Sequence, residues 1–152
     1  MLTHGDLLGL GFTAKGIKHR VASGRLHPIS TGIYAVGRPE LSPHGRWMAA
    51  VLVCGDEAML SHRSAAELWG IGYEDGKRID VTVRRRREVH RAGLKVRMRP
   101  KLPERSMVVR FGIPVTTPVQ TLIDLATELK IMRLERVVNE ADKLDLVDPE
   151  TL

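Results

Sequence analysis

The chain carries a single cysteine, Cys54. No internal disulfide can form, and no paired-cysteine metal site exists. Aromatic residues make up only 4%, which argues against a single-strand binder built on base-stacking platforms. The longest apolar run, Trp47 to Cys54, is eight residues, whereas a membrane span needs about 18. No basic segment followed by an apolar core opens the N-terminus, so no secretory signal is read. The six histidines (His4, His19, His27, His44, His62 and His90) show no tight ligand spacing, and no metal site is expected. No glycine-rich phosphate loop occurs, and no cofactor is expected. These absences point to a cytoplasmic protein.

What is present is charge, and it is unevenly placed. The 152 residues are 43% hydrophobic and 28% charged, with 24 Lys and Arg against 18 Asp and Glu, a net +6. The length suits one domain, or a small module plus a second compact unit. A positive balance suits a polyanionic partner. Residues 1–46 carry a net +4 and residues 77–101 a net +9, while residues 47–76 and 120–152 each carry −4. Positive charge is thus concentrated in two blocks.

The first block reads as short helices and a hairpin. Thr3 is placed to cap a helix to about Leu10, with Leu7, Leu8 and Leu10 inward, stopped by Gly11. Thr13 is the candidate cap of a second helix, Ala14 to Ser23, closed by Gly24. Leu26 to Ile29 and Ile33 to Val36 alternate in polarity around the turn Ser30-Thr31-Gly32, and Pro28 confines its strand to a sheet edge. Ser42-Pro43 then opens a helix to Cys54 that is apolar nearly all round and belongs in a core, Cys54 included. Strands are predicted at Ala58–Leu60, Ile79–Val83, Leu94–Met98, Met107–Arg110 and Ile113–Thr116. Helices are predicted from Ser61 or Ser64 to Trp69, from Thr117-Pro118 to about Leu129, and from Ile131 to Leu144. Ser64-x-x-Glu67 fits a capping box. Asp148-Pro149-Glu150 resembles the start of a further helix.

On a helical wheel, Ala14, Ile17 and Val21 form an inner stripe. Lys15, Lys18 and His19 lie opposite, Arg20 sits at the stripe's edge, and Arg25 follows the helix. A narrow apolar stripe with long basic side chains opposite can enter a major groove, where Lys and Arg reach guanine edges or phosphates. The order helix, turn, helix, hairpin matches a winged helix-turn-helix. Its candidate contacts to double-stranded DNA are Thr13, Lys15, Lys18, His19, Arg20, Arg25, Ser30 and Thr31. The blander reading is a solvated basic helix. The second block supplies possible secondary phosphate contacts at Arg84, Arg85, Arg86, Arg87, Lys95 and Arg97. Lys95, Arg97 and Arg99 share one strand face opposite Val96 and Met98. The alternative for this block is a basic loop with a charged solvent face.

Catalytic patterns are weak. Ser61 neighbours His62, but neighbours within one helical turn do not face each other. His62 and Arg63 are therefore expected to serve structure. Asp75-Gly76-Lys77, with Asp56 upstream, matches the acid-x-Lys half of a metal-dependent nuclease site. It falls in a glycine-bounded turn rather than on a strand, which weighs against it.

Three stretches resemble a known family: Gly24 to His27 through Gly32 to Gly37; Leu60 to Ala66 with Leu68-Trp69-Gly70; and Gly112 to Pro118 with Thr121-Leu122 and Asp124-Leu125. Together they resemble the AbiEi-type antitoxins of type IV toxin–antitoxin systems, in their actinobacterial form. The resemblance implies an operator-binding N-terminal winged helix that represses its own operon, with its reading helix on Ala14–Ser23 and its wing on Leu26–Val36. It also implies a mixed α/β domain and a nucleotidyltransferase-like toxin as partner. Many such relatives continue into a short-patch-repair-like endonuclease domain, so the alternative is the DNA-targeting half of such an enzyme. The expected fold is α+β: a winged helix-turn-helix over residues 1–40, a mixed α/β domain over 41–147, and a helix start or frayed tail over 148–152.

Overall fold

The computed structural model describes residues 1–72, 78–85 and 92–148. The chain divides into two units, Met1–Val53 and Cys54–Leu152.

In the first unit, α1 (His4–Gly9) begins at Thr3 in a full capping box. The Thr3 hydroxyl accepts from the Asp6 N–H at 3.0 Å, and the Asp6 carboxylate accepts from the Thr3 N–H at 2.8 Å. The Thr3 N–H on its carboxylate, with a further contribution from the Thr3 side chain, lowers the pKa of Asp6 below the ordinary carboxylate value. A tight turn through Gly11 leads to α2 (Ala14–Ala22), capped by Thr13. Two strands follow, β2 (Leu26–Ser30) and β3 (Ile33–Val36), antiparallel with a register shift between Pro28 and Ser30. Sequence reading missed a third strand, β1 (Leu2–Thr3), which pairs with β3. Two residues give too little periodicity to register. The sheet order β1-β3-β2 leaves Pro28 on an edge strand, where its missing N–H costs nothing.

Leu7, Ile17 and Leu26 form the core of this unit, with Leu2, Phe12, Val21 and Tyr34 packed against them. The expectation for Leu8 and Leu10 fails: both are exposed. Leu8 is turned about 100° from Leu7, and Leu10 already lies past the end of α1. Ala14 is exposed as well, so the inner stripe of α2 narrows to Ile17 and the half-buried Val21. The helix α3 (Pro43–Cys54) starts with the Ser42 hydroxyl accepting from the Gly45 N–H at 3.1 Å. As its composition predicts, Trp47, Ala49, Ala50, Val51 and Cys54 are buried.

The second unit is a mixed five-stranded sheet of order β6-β5-β4-β8-β7. Its strands are β4 (Ala58–Leu60), β5 (Ile79–Val83), β6 (Leu94–Met98), β7 (Met107–Arg110) and β8 (Ile113–Thr116). All five match the predicted bounds. The parallel pairs are β4 with β8 and β5 with β6; the others are antiparallel. The helices are α4 (His62–Trp69), α5 (Pro118–Ala126) and α6 (Ile131–Lys143), with a single 3₁₀ turn at Glu104–Ser106. Gly70 ends α4 in the left-handed region at φ 80°, where a side chain would be strained. Thr117 caps α5 with Pro118 in its first turn, so the Thr116-Thr117-Pro118 run is the expected strand-to-helix junction. On α6, Val137 and Ala141 are buried and Leu134 and Val138 half-buried, as the helical spacing predicts. Among the described residues, no helix is long and apolar enough to cross a membrane.

Two expectations around α4 are corrected. Ser64 is not a helix cap. It lies inside α4, buried, and its hydroxyl accepts from the Asp80 N–H of β5 at 2.9 Å. Ser61 holds the N-cap position but makes no side-chain cap bond, because its hydroxyl is used elsewhere. The helix start at Asp148-Pro149-Glu150, the Asp75-Gly76-Lys77 turn, and Arg86, Arg87 and Arg91 fall wholly or partly outside the described residues.

Candidate nucleic-acid interface and a buried charge cluster

The first unit presents a polarised helix. Ile17 is 2% exposed, while Lys15, Lys18 and His19 are exposed on the far side of α2. Thr13 fixes the start of the helix, its hydroxyl accepting from the Gly16 N–H at 3.1 Å. Arg20 is half-buried. Its guanidinium lies 4.3 Å from the Phe12 ring centroid and donates to the Gly16 carbonyl at 3.3 Å. Its charge is therefore drawn along the helix flank. Arg25 is exposed, and its backbone N–H is held by the Arg20 carbonyl at 2.9 Å. At the hairpin tip Thr31 is exposed and Ser30 half-buried. The tip is anchored by the His4 N–H on the Gly32 carbonyl at 2.7 Å. None of the exposed cations Lys15, Lys18 and Arg25 has an acidic partner among the ion pairs of the described residues.

The second basic block is organised differently. Lys95 and Arg97 share a face of β6, as the alternation predicts, but that face meets carboxylates. Lys95 Nζ donates to Glu128 at 2.9 Å. Arg97 donates to Asp80 at 2.6 Å and also to Glu128. Arg99, just past the strand, donates to Asp124. Arg63 lies 3.9 Å from Glu128. Arg84 lies 3.7 Å from Glu104, and Arg85 lies 3.2 Å from Glu57. In the sequence Asp124 stands out only within a family-resembling stretch and Glu128 is not singled out; neither is expected to meet the basic block. A signal existed: Gln120, Asp124 and Glu128 recur every four residues, which places them on one side of a helical segment.

Inside this layer lies a buried polar knot. Ser61 Oγ accepts from Thr82 Oγ1 at 2.8 Å and lies 3.0 Å from His62 Nδ1. The sequence expectation that Ser61 and His62 would not face each other is thereby corrected. Ser61 is extended (φ −148°, ψ 176°), so helical geometry does not apply to it. His62 takes the left-handed region at φ 50°, a strained choice for a residue with a side chain. Asp124 Oδ2 sits 3.6 Å from the same His62 Nδ1 and accepts no hydrogen bond among the described residues. Burial lowers the pKa of His62, reinforced by Arg97, and outweighs the opposing pull of Asp124, Glu128 and Asp80. For Glu128, burial pushes upward, but hydrogen bonds and charge from Lys95 and Arg97 win, and its pKa falls to about 2.

Serine, histidine and aspartate thus meet, but not as a nucleophilic relay. A relay uses both imidazole nitrogens, one toward the serine and one toward the aspartate. Here both partners approach Nδ1, and Ser61 is fully buried. The arrangement ties α4, α5, β5 and β6 together. Among the described residues no three His, Cys, Asp or Glu side chains are grouped to hold a metal ion.

The second unit is therefore an α+β domain whose helices are fastened to a mixed sheet by buried hydroxyls and ion pairs. A family model described as the AbiEi antitoxin C-terminal domain matches residues 56–152, and the chain belongs to the AbiEi antitoxin family. No curated protein matches the sequence significantly.

Proposed function

We propose that this chain is a double-stranded DNA-binding repressor of antitoxin type, acting in the cytoplasm without a catalytic step of its own. In this reading α1, α2 and the β2–β3 hairpin make a winged helix. The observation that carries it is the polarity of α2, with Ile17 buried and Lys15, Lys18 and His19 exposed and in none of the ion pairs of the described residues. A rod of that kind fits a major groove, where Lys15, Lys18 and His19 reach base edges or phosphates. Arg25, Thr13, Ser30 and Thr31 hold the sugar–phosphate backbone, and Arg20 buttresses the helix through Phe12. Lys95 and Arg97 already meet carboxylates, so the main phosphate track is assigned to the first unit. Arg84 and Arg85 also lie beside carboxylates, Glu104 and Glu57, so they are at most secondary contacts that DNA would have to compete for.

Membership of an antitoxin family supports a cognate toxin as partner, and we assign it to the nucleotidyltransferase-like class that the sequence resemblance implies. The test is anisotropy of the full chain on its own promoter DNA over a range of salt. Lys18→Ala and Arg25→Ala each weaken binding, and each lost phosphate contact lowers the salt slope by about one. Binding untouched by both changes would remove the assignment.

A further inference from the structure

The edge strand β7 and the turn after it carry features that no part of the DNA-binding reading uses. Among the described residues β7 pairs only with β8, and no described strand lies on its other side. Val109 is 66% exposed and Phe111 is 69% exposed. Natural sheet edges are commonly guarded by charged side chains, proline or a bulge. The strand Met107-Val108-Val109-Arg110 has one charged residue, Arg110, whose guanidinium is turned onto the Trp69 and Phe111 rings; it has no proline, and its pairing with β8 runs without a register shift.

The turn fixes which backbone groups face outward. Phe111 at φ 51° and Gly112 at φ 76° make the two-residue connection left-handed. Glycine suits that region, but a bulky phenylalanine there is strained, and such strain gathers at functional positions. In a two-residue hairpin of this type Arg110 and Ile113 form the closing hydrogen-bonded pair. Alternation then directs the Val109 N–H and C=O away from β8. Pro114, the cross-strand neighbour of Val109, has no N–H to offer in any case. The Arg110 guanidinium lies 4.5 Å from the Trp69 ring centroid and 5.0 Å from that of Phe111. That stack holds the exposed phenylalanine in place.

We propose that β7 is the interface for a second copy of this chain, paired antiparallel about a two-fold axis through Val109. The sequence is self-complementary in that register. Val109 meets Val109 of the other copy and exchanges both outward hydrogen bonds with it. Val108 lies opposite Arg110, and Met107 opposite Phe111, a sulfur–aromatic pairing. No two like charges face each other, which is what an isologous strand pair requires. Two five-stranded sheets would become one of ten strands. The contact is small, so the dimer is a weak one. It carries two copies of the N-terminal unit.

The test is sedimentation velocity on the full chain without DNA, from about 5 to about 500 µM, the range suited to a small interface. The expected result is a concentration-dependent rise from the 16.9 kDa monomer toward twice that mass. Val109→Lys puts two ammonium groups across the axis. Val109→Pro deletes the outward N–H without touching the ladder to β8. Both hold the chain monomeric throughout, with unfolding midpoints close to the parent's showing that the fold is intact, while Val109→Thr still dimerises. A parent monomeric at every concentration overturns the proposal, and so does a dimer that both variants retain. Because DNA is absent, operator binding and self-association succeed or fail separately.

Discussion

Two basic segments of this molecule look alike in sequence and differ in fate. The helix α2 places Lys15 and Lys18 on a face that meets solvent. The strand β6 places Lys95 and Arg97 on a face that meets Asp80 and Glu128. The first set meets no acid among the ion pairs of the described residues, and it is the set proposed to meet DNA. The second spends its charge on the fold, where it satisfies carboxylates that would otherwise be stranded: Asp80 and Asp124 are at most 4% exposed. A run of cations therefore does not by itself mark a polyanion site. What decides is whether acids at matching periodicity lie on the element packed against it.

The largest effect expected from that difference follows removal of Arg97. Its loss strands the buried Asp80 and takes one of two strong donors from Glu128. Breaking a buried pair by deleting one partner costs several kcal/mol, so Arg97→Ala is predicted to destabilise the chain by about 3 kcal/mol in urea unfolding. A change below about 0.5 kcal/mol, the usual surface value, would mean that the β6 cations are ornamental after all.

Acid should attack the same unit. Glu128 titrates at about 2 in the fold against an ordinary 4.5. Its depressed value stabilises the fold above pH 4.5, and that stability drains away as pH falls from 4.5 through about 2. Full conversion of the shift is discounted because Glu128 keeps 22% exposure, leaving about 2 kcal/mol. Glu128→Gln should flatten this part of the stability–pH curve.

His62 adds a gentler slope at higher pH. Its pKa lies below 6.5 in the fold, chiefly through burial. The folded protein thus binds this proton less readily than the unfolded chain. Stability is full above pH 6.5 and declines as pH drops below it. Thermal midpoints read across pH 5 to pH 7 should fall toward the acid side, and less so in His62→Gln. An equal slope in that variant would assign the effect elsewhere.

How far these features could be read beforehand depends on the range of the interactions that make them. The five strands of the second unit were legible to the residue because each is a short apolar or alternating run between glycine, proline or charged breaks. The Thr3 and Thr13 caps were legible because capping acts over three residues. The partners of Ser64 and Ser61 were not. Ser64 follows the local rule for a capping box, yet its hydroxyl serves the Asp80 N–H sixteen residues away. Ser61 likewise turns to Thr82 and to His62. A single sequence states which residues are polar, but the sheet order decides which of them meet. The failures at Leu8, Leu10 and Ala14 have the opposite origin. Short helices offer barely two turns, and a wheel drawn on them assigns more positions to the inside than one small core can cover.

The smallest effects on stability concern one exposed cation from each unit, and they come with a crossed pair of measurements. Lys18 is exposed, with no acid opposite it among the described ion pairs, so Lys18→Ala should leave the unfolding free energy within about 0.5 kcal/mol while DNA affinity falls. Lys95 is also partly exposed, at 46% of its side chain, but it is bound to Glu128. An ion pair so open to water is worth roughly 0.2–1 kcal/mol, so Lys95→Ala should lower stability slightly and leave DNA affinity and its salt slope unchanged. Charge lost from an acid-free face and charge lost from a neutralised face would then separate cleanly on two axes. If Lys95→Ala reduced DNA affinity as much as Lys18→Ala, Glu128 would have to release its cation to DNA. The second unit would then share the phosphate track that α2 is proposed to carry.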